Sequence, residues 1–313
     1  MRVVSGETMG TTYQLKYYSQ DNTDLKPWVD SVLQAVNASL STYIPTSTIS
    51  RFNQATTFAL VDSYFITNYE KAKQIGEASQ GAFDMTVMPL VNAWGFGFRK
   101  MANEVDSLLI DSLLSIVGAD KIWLRSDTLF KKYPTVMVDF SALAKGFGVD
   151  EVGRFLEGRG IKAYMVEIGG EILAKGVKPL EGDWQVAIEK PIDDQTGSVK
   201  EIELILPLRD RAMATSGNYR NFYVRNGKKY AHEIDPKTGY PVSHNLLSAT
   251  VIASDCMTAD AWATAFMVMG FERAKKLAAS RSDLEVALIY ADETGGNHLY
   301  LSPGIHKLLR QKD

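Results

Sequence analysis

Two oxygen-bearing side chains lie four residues apart in the apolar stretch MTADAWATAFMVM, residues 257–269. Its alanines, aromatic residues and methionines make the segment apolar on nearly every side, which predicts a buried helix. Asp260 lies within it, and a carboxylate that leaves water without a partner costs several kcal/mol. Thr264 follows on the same helical face, so the pair offers two hard oxygens that suit Mg²⁺, which takes few protein ligands. Alternatively, Thr264 bonds back to the carbonyl oxygen of residue 260 while Asp260 caps a neighbouring loop.

A lysine and two glycines open a second predicted helix, in VDFSALAKGFGVDEVGRFL, residues 138–156. A strand is predicted to end at Asp139, and the helix begins after a short loop. Lys145, Gly146 and Gly148 then lie where free N–H groups and the helix dipole favour an anion, and where small residues let a phosphate approach the backbone. The nucleotide-binding pattern GxxxxGK[ST] is absent. Lys145 can therefore also be interpreted as an exposed helix lysine.

A third segment, HEIDPKTGYP at residues 232–241, combines a turn with a histidine. Asp235 and Pro236 begin the turn, and Gly239 supplies a positive φ. The turn itself does not require His232, one of four histidines in the chain. An imidazole can take a hydroxyl proton near neutral pH, which makes His232 a candidate base. The alternative is a histidine that only hydrogen-bonds the turn.

Three further segments carry weaker signals. Asp84 lies in the apolar, aromatic run GAFDMTVMPLVNAWGFG, residues 81–97, either as an acid that meets a ligand or as a turn cap. IGGEI at 168–172 and MATSG at 213–217 read as glycine turns at strand ends. Such turns either present their backbone to a ligand or are simply tight bends.

Positioning these segments requires helices and strands in a mixed order. Helical apolar spacing covers residues 25–40, 64–78, 105–117, 144–157, 257–269 and 272–279. Strand-like runs cover residues 11–18, 121–126, 135–140, 163–168, 184–189, 202–208, 211–216, 221–226, 246–253, 286–291 and 298–302. The strands do not alternate regularly with helices, so an α+β fold with a mostly antiparallel sheet core and flanking helices is predicted.

Composition limits the class of protein. The chain has 313 residues, enough for one large domain or two intimately joined ones. Its net charge of -3 argues against a general nucleic-acid or anionic-membrane surface, and no run approaches the ~20 apolar residues of a membrane span. The first residues, MRVVSGETMGTTYQ, contain neither an apolar signal core nor a cysteine for lipid attachment. This predicts either a cytoplasmic protein or one whose leader has been removed. Cys256, the only cysteine, excludes an internal disulfide and is predicted to be a buried thiol.

Together the segments resemble one family, the ApbE-like flavin transferases, which move FMN from FAD onto a protein. The resemblance covers nearly the whole chain, as one domain over residues 1–313 or as two intimately packed subdomains. It is carried, in order, by MGTTY from Met9, LSTY at 40–43, GAFD at 81–84, VDFSALAKGFGVD at 138–150, MATSGNY at 213–219, HEIDPKTGYPV at 232–242 and TADAWATAF at 258–266. The fold implied is the family's T-fold-like α+β architecture.

The resemblance implies residue roles that composition and spacing do not provide. FAD contacts are implied for Met9, Tyr43, Ala82, Phe83, Asp84, Asp139, Lys145 and Ile234. The implied Mg²⁺ ligands are the side chains of Asp260 and Thr264 and the backbone carbonyl of Ala142. His232 matches the histidine proposed in the family to help activate the acceptor hydroxyl. Ala263 stands where some members carry an acid, so a second cation site is less expected here.

The implied reaction splits the pyrophosphate of FAD. FMN passes to a threonine or serine hydroxyl of a target protein through a phosphoester bond, and AMP leaves. The resemblance implies acceptors of the respiratory flavoprotein type, no nucleic-acid partner, and an exported lipoprotein on the periplasmic side of the inner membrane, with a cytoplasmic location as the alternative. It implies FAD as substrate and Mg²⁺ as cofactor.

Three other functions fit parts of the sequence. A Mg²⁺-dependent FAD pyrophosphatase would use water in place of the acceptor hydroxyl, and a carrier would bind FAD without cleaving it. A redox flavoenzyme is less well supported, because no GxGxxG follows an N-terminal strand.

Overall fold

A computed structural model describes residues 1–97, 105–191, 201–218, 222–225 and 228–310. Its strands are β1 (Arg2–Thr8), β2 (Thr11–Tyr17), β3 (Phe58–Leu60), β4 (Ile122–Arg125), β5 (Thr128–Lys131), β6 (Tyr164–Ile168), β7 (Glu171–Lys175), β8 (Trp184–Glu189), β9 (Ile202–Leu208), β10 (Arg211–Gly217), β11 (Phe222–Arg225), β12 (Lys228–Ala231), β13 (Leu246–Ala253), β14 (Glu285–Ala291) and β15 (Asn297–Leu301). Its helices are α1 (Lys26–Leu40), α2 (Thr48–Gln54), α3 (Ser63–Ala78), α4 (Met88–Ala93), α5 (Ser107–Leu114), α6 (Ala144–Gly158), α7 (Cys256–Met269), α8 (Phe271–Ala279) and α9 (Pro303–Arg310).

The chain forms two compact units, each assembled from separate stretches of sequence. Unit 1 comprises Met1–Gln34, Lys145–Asn221 and His244–Asp313, and unit 2 comprises Ala35–Ala144 and Phe222–Ser243. No helix within the described residues is both long and apolar enough to cross a membrane.

Unit 1 is organised around an eight-stranded sheet with the strand order β1-β2-β6-β7-β10-β13-β14-β15. Every pairing in it is antiparallel. The prediction of an α+β fold with a mostly antiparallel sheet core is therefore confirmed. The order is not that of the sequence, because β2 pairs with β6, far along the chain.

The two faces of this sheet bury different elements, because strand side chains alternate between faces. On one face Tyr13, Leu15, Val166 and Ile168 pack with Val29 and Leu33 of α1, with Val149, Val152 and Leu156 of α6 and with Cys256 of α7. The other face packs against the β8–β9 hairpin and α9, through a cluster that includes Trp184, Leu206, Ile252 and Ile305. The helices α6 and α7, which carry the chemical residues of this unit, thus lie on the same face.

Unit 2 holds the three-stranded antiparallel sheet β3-β5-β4, the hairpin β11–β12 and helices α2 to α5. Three of these helices begin at capping side chains that accept a backbone N–H: Ser47 for α2, Asp62 for α3 and Asp106 for α5. A buried cluster of Leu90, Trp94, Ile110, Val117 and Ile234 forms one part of the core.

Most predicted elements are present, and two predictions are wrong. Residues 136–140 of the predicted strand 135–140 belong to no sheet. The side chain of Asn53 takes the place of a strand partner, because it donates to the Val138 carbonyl at 2.9 Å and accepts from the Val138 amide at 2.8 Å. MATSG is not a turn, because its residues lie within β10. Residues 219, 221 and 226, in the MATSGNY motif and the predicted strand 221–226, lie outside the described part of the chain.

Candidate functional site

The backbones of the N-terminal turns of α6 and α7 are in direct contact. A Cβ atom on Gly146 would lie 2.4 Å from the Cys256 carbonyl oxygen and 2.8 Å from the Met257 Cα, so only glycine fits there. The Gly146 amide donates to Oδ2 of Asp260 at 3.0 Å. The negative group at the N-terminus of α6 is therefore the Asp260 carboxylate, and the predicted space for a phosphate at Gly146 is filled by α7.

Asp150 makes a second connection between the same two helices. Its two carboxylate oxygens accept hydrogen bonds from the backbone amides of Cys256, at 2.8 Å, and Met257, at 2.9 Å. These amides belong to the first turn of α7, where no partner within the helix is available. Burial raises the pKa of Asp150 to about 7, although both hydrogen bonds oppose the shift. Asp150 fixes the start of the helix that carries Asp260.

Lys145 lies between two acids in unit 1. Its ammonium group donates to Oε1 of Glu171 and interacts electrostatically with Asp260. Burial alone would lower the pKa of Lys145, but Asp260 and Glu171 together raise it. Burial and the charge of Asp260 raise the pKa of Glu171 to about 8, against the effect of Lys145. The Lys145 side chain is 32% exposed, but it is paired with acids and is not a lysine that only water contacts.

The environment of Asp260 and Thr264 fits a magnesium ion. Asp260 is 3% exposed, and burial raises its pKa, although Lys145 and the Gly146 amide oppose the shift. The Thr264 hydroxyl lies 3.3 Å from Oγ of Ser216, and no bond to the carbonyl of residue 260 occurs among the described hydrogen bonds. No group of three or more His, Cys, Asp or Glu side chains suited to a metal occurs in the described ranges. A small set of hard oxygens is the donor set that Mg²⁺ accepts, because it keeps several waters.

The alternative interpretation of this pair thus holds in part. Asp260 does cap a neighbouring segment, the N-terminus of α6, whereas Thr264 points its hydroxyl toward β10 rather than back along its own helix.

Met9 occupies the turn of the β1–β2 hairpin. Met9 and Gly10 have φ values of 50° and 72°, and they connect the paired residues Thr8 and Thr11. Two positive φ values are typical of the tight hairpin turns that match the twist of the strands. The Met9 methyl group would lie 2.8 Å from a Cβ at Gly148, so the hairpin turn packs on α6 at that glycine. Met9 therefore packs on α6 at a position three residues after Lys145.

In unit 2 the structure brings together Asp84 and Asp139, which lie in different motifs. The Asp139 amide donates to the carbonyl of Met85 at 2.7 Å. Asp84 accepts from the Thr86 amide at 2.7 Å and from its hydroxyl at 2.6 Å, and Asp139 accepts from the amide and the hydroxyl of Ser141. Burial raises the pKa of both carboxyl groups, against these hydrogen bonds. Both acids cap turns, as the alternative for Asp84 stated, and their contact with FAD remains a prediction.

Other predicted FAD contacts in unit 2 differ in exposure. Tyr43 is 76% exposed, whereas Ala82 and Phe83 are buried. Ala142, the predicted carbonyl ligand, lies in the loop before α6 and belongs to unit 2. Its role stays a prediction from the family resemblance.

The segment HEIDPKTGYP forms the closed turn that the sequence predicts. The Asp235 amide donates to the Tyr240 carbonyl at 3.0 Å, and the Gly239 amide donates to the Asp235 carbonyl at 2.8 Å, with a φ of 76° at Gly239. The Trp94 indole donates to the Gly239 carbonyl at 2.8 Å and fixes the turn to the end of α4. Ile234 bridges to Pro241 and is buried.

His232 lies beside an acid that the sequence analysis did not identify. Nδ1 of His232 is 3.3 Å from Oε2 of Glu233, and the His232 ring meets the edge of Phe96 at a centroid distance of 6.4 Å. The Glu233 side chain is 3% exposed, and neither of its carboxylate oxygens has a hydrogen-bond partner within the described residues. A buried carboxylate next to a histidine can orient the imidazole.

Four residues of these sites were missed in the sequence analysis: Asp150, Glu171, Ser216 and Glu233. Glu171 had a usable signal, because an acid follows the two glycines of IGGEI directly and begins a buried strand. Glu233 directly follows His232 in the sequence, so it too had a local signal. The partners of Asp150 and Ser216 depend on contacts between distant segments, which spacing along the chain does not reveal.

Comparison with known proteins identifies close relatives. The sequence model of the ApbE family matches residues 9–288. A FAD:protein FMN transferase of Haemophilus influenzae is 43% identical over 306 residues, covering 93% of this chain and 87% of the relative. One of Vibrio cholerae is 41% identical over 298 residues, covering 93% of this chain and 88% of the relative. The solved structure of the flavin transferase ApbE from Vibrio cholerae matches with a TM-score of 0.87 at 39% identity and covers 98% of both chains. That of the Pseudomonas stutzeri flavinyl transferase ApbE, in its apo form, matches with a TM-score of 0.87 at 31% identity over 98% of this chain and 96% of its own.

Proposed function

This chain belongs to the ApbE family, and on that premise we propose how its residues transfer FMN from FAD to a target protein. The transfer itself follows from the family: the chain is an enzyme, a flavin transferase. The observation that supports our assignment of the chemistry is the buried Asp260, placed beside Lys145 by the packing of α6 on α7.

We propose that Asp260 and Thr264 hold Mg²⁺ through their side-chain oxygens. When bound, the ion would stabilise negative charge on the pyrophosphate as a Lewis acid. Thr264 is free of a bond to its own helix among the described hydrogen bonds, so its hydroxyl can turn toward a cation. The Ala142 carbonyl is the third predicted ligand.

In this proposal Lys145 stabilises the leaving AMP. Splitting the pyrophosphate leaves negative charge on AMP and on the attacked phosphoryl group, and the Lys145 ammonium can offset that charge. Its neighbouring acids keep it protonated, since they raise its pKa. Met9, Tyr43, Ala82, Phe83, Asp84, Asp139 and Ile234 are the other proposed FAD contacts.

The acceptor in this proposal is a threonine or serine hydroxyl of a target protein. An imidazole nitrogen of His232 takes the hydroxyl proton as the oxygen attacks the phosphoryl group of the FMN moiety, and the P–O bond to AMP breaks. The close approach of Glu233 to Nδ1 supports this role, because an acid there stabilises the imidazolium that forms.

One experiment tests the chemistry. The protein is mixed with FAD, with a peptide or protein acceptor and with or without Mg²⁺, and AMP, free FMN and flavin-labelled acceptor are measured. We expect AMP and labelled acceptor in equal amounts, and only with Mg²⁺. AMP with free FMN alone would indicate a pyrophosphatase, and intact FAD would indicate a carrier. An undiminished rate in the presence of excess chelator would contradict the metal proposal.

We also propose, from the family resemblance alone, that the protein acts on the periplasmic side of the inner membrane as a lipoprotein. Fractionation of cells that produce the natural gene product would test this. Recovery in the cytoplasmic fraction would contradict it.

A further inference from the structure

Glu171 is a buried acid placed by a tight hairpin turn. Gly169 and Gly170 connect β6 to β7 with φ values of 60° and 104°, and Glu171 is the first residue of β7, paired with Ile168. Its side chain is 3% exposed. The turn itself is held by Glu167, which accepts from the Gly170 amide at 2.7 Å.

The two oxygens of Glu171 have different surroundings. Oε1 accepts the hydrogen bond of the Lys145 ammonium, whereas Oε2 is buried and has no hydrogen-bond partner within the described residues. A buried carboxylate oxygen without a partner costs free energy, so Oε2 of Glu171 does not stabilise the fold. The side-chain partner described for Glu171 is Lys145.

Two acids interact with the Lys145 ammonium group. Lys145 interacts electrostatically with both Asp260 and Glu171, but its hydrogen bond goes to Glu171. The hydrogen bond described for Asp260 comes from the Gly146 amide, a neutral donor. An ammonium that bonds a carboxylate directly neutralises it and occupies the space of a competing cation.

We propose that Glu171 is a positioning residue, which holds the Lys145 ammonium away from Asp260 and so keeps the Asp260 carboxylate available to a divalent cation. This inference rests on the proposed function, because it assumes that Asp260 binds the ion. Without the Glu171 carboxyl group as its hydrogen-bond acceptor, Lys145 has Asp260 as its remaining acidic neighbour, and a cation has to displace the ammonium before it can bind.

Mn²⁺ binding tests this in the absence of FAD and of any turnover. Free Mn²⁺ is measured by electron paramagnetic resonance during titration of the purified protein. Glu171→Gln should weaken Mn²⁺ binding on the order of tenfold or more, the range for residues that orient a metal ligand. Glu167→Gln, on the same hairpin, is the matched control, and it should leave binding within about twofold.

A double-mutant cycle separates positioning from simple charge. In Lys145→Met the competing ammonium is gone, so adding Glu171→Gln should change Mn²⁺ binding by less than about twofold. If Glu171 bound the ion itself, or acted only through its charge, the loss would be the same in both backgrounds, and the proposal would be overturned. Circular dichroism establishes that each variant is folded. Should Glu171→Gln fail to fold, Glu171→Met carries the same expectation without burying an unpaired amide.

The possible failures are distinguishable. If the wild-type protein bound no Mn²⁺ at millimolar concentrations, the proposed metal site would be wrong, and this inference with it. If wild type and folded Glu171→Gln bound Mn²⁺ equally well, only the role of Glu171 would be wrong.

Discussion

Replacing Gly146 by alanine should separate α6 from α7. We expect it to lower the stability of the protein and to raise the Mg²⁺ concentration that activity requires. The added Cβ would lie 2.4 Å from the Cys256 carbonyl oxygen and 2.6 Å from its carbonyl carbon. These are backbone atoms within a helix, so they cannot rotate away as a side chain can. Because ordinary contact begins near 3.4 Å, the helices would have to move apart by about 1 Å.

The magnitude follows from the contacts that this movement disturbs. Over-packing of a close-packed interior costs about 1–3 kcal/mol. The hydrogen bond from the Gly146 amide to Asp260, now 3.0 Å, would be lost at about 1 kcal/mol or more, because its acceptor is buried. We therefore expect the free energy of unfolding to fall by about 2–4 kcal/mol and the unfolding temperature by roughly 3–6 °C.

The assay combines calorimetry with Mg²⁺-dependent release of AMP from FAD. Gly158→Ala is the matched control, because Gly158 lies in the same helix and a Cβ there meets no atom within 4 Å. It should be neutral or slightly stabilising, since alanine favours helix. Gly146→Ala should also need more Mg²⁺ for half-maximal activity, since Asp260 loses its amide partner. An unfolding temperature and Mg²⁺ requirement equal to those of Gly158→Ala would refute the reasoning.

Three further outcomes are expected. Asp260→Ala should abolish Mg²⁺-dependent AMP release while near-ultraviolet circular dichroism stays native, and full activity would rule out Asp260 as a ligand. His232→Asn should slow flavin transfer by roughly 10²-fold with unchanged FAD binding by fluorescence titration, and a loss of only a few-fold would make His232 structural. Burial raises the pKa of Asp150 to about 7, above its unfolded value of ~3.9, so the stabilisation is complete below about pH 4 and is lost as the pH rises through 7. Asp150→Asn should therefore lose more stability relative to wild type at pH 5 than at pH 8 in urea unfolding, and an equal difference at both pH values would contradict this.

The helices that carry the chemistry were predictable because their apolar spacing is strong. Residues 144–157 and 257–269 were predicted as helices, and α6 and α7 agree within one residue at each end. The turn of HEIDPKTGYP was predictable for the same local reason, since proline and glycine restrict the backbone wherever they occur. Asp84 was identified as an acid within an apolar run, and the turn-capping hydrogen bonds of Asp84 and Asp139 are also local.

What the sequence could not reveal depends on contacts between distant segments. Residues 135–140 have the composition of a strand, but the side chain of Asn53 satisfies Val138, so no strand pairs there. Gly146 was interpreted as room for a phosphate, whereas the space holds the backbone of Cys256. The pairing of Lys145 with Glu171 joins α6 to a hairpin turn, and spacing along the chain contains no information about that meeting.

The strand order of unit 1 has a consequence for synthesis on the ribosome. The hairpin of β1 and β2 is synthesised first, but β2 pairs with β6. Tyr13 therefore cannot pair with Ile168 until the ribosome has synthesised β6. At about 5–20 residues per second, that delay is roughly 8–30 s, during which Tyr13, Leu15 and Tyr17 lack the partners that β6 and α6 supply. A nascent chain with an exposed apolar hairpin can aggregate, and non-local pairing also slows folding. Chaperones that shield early apolar segments should therefore raise the yield of this enzyme more than they raise that of a helical protein of equal length.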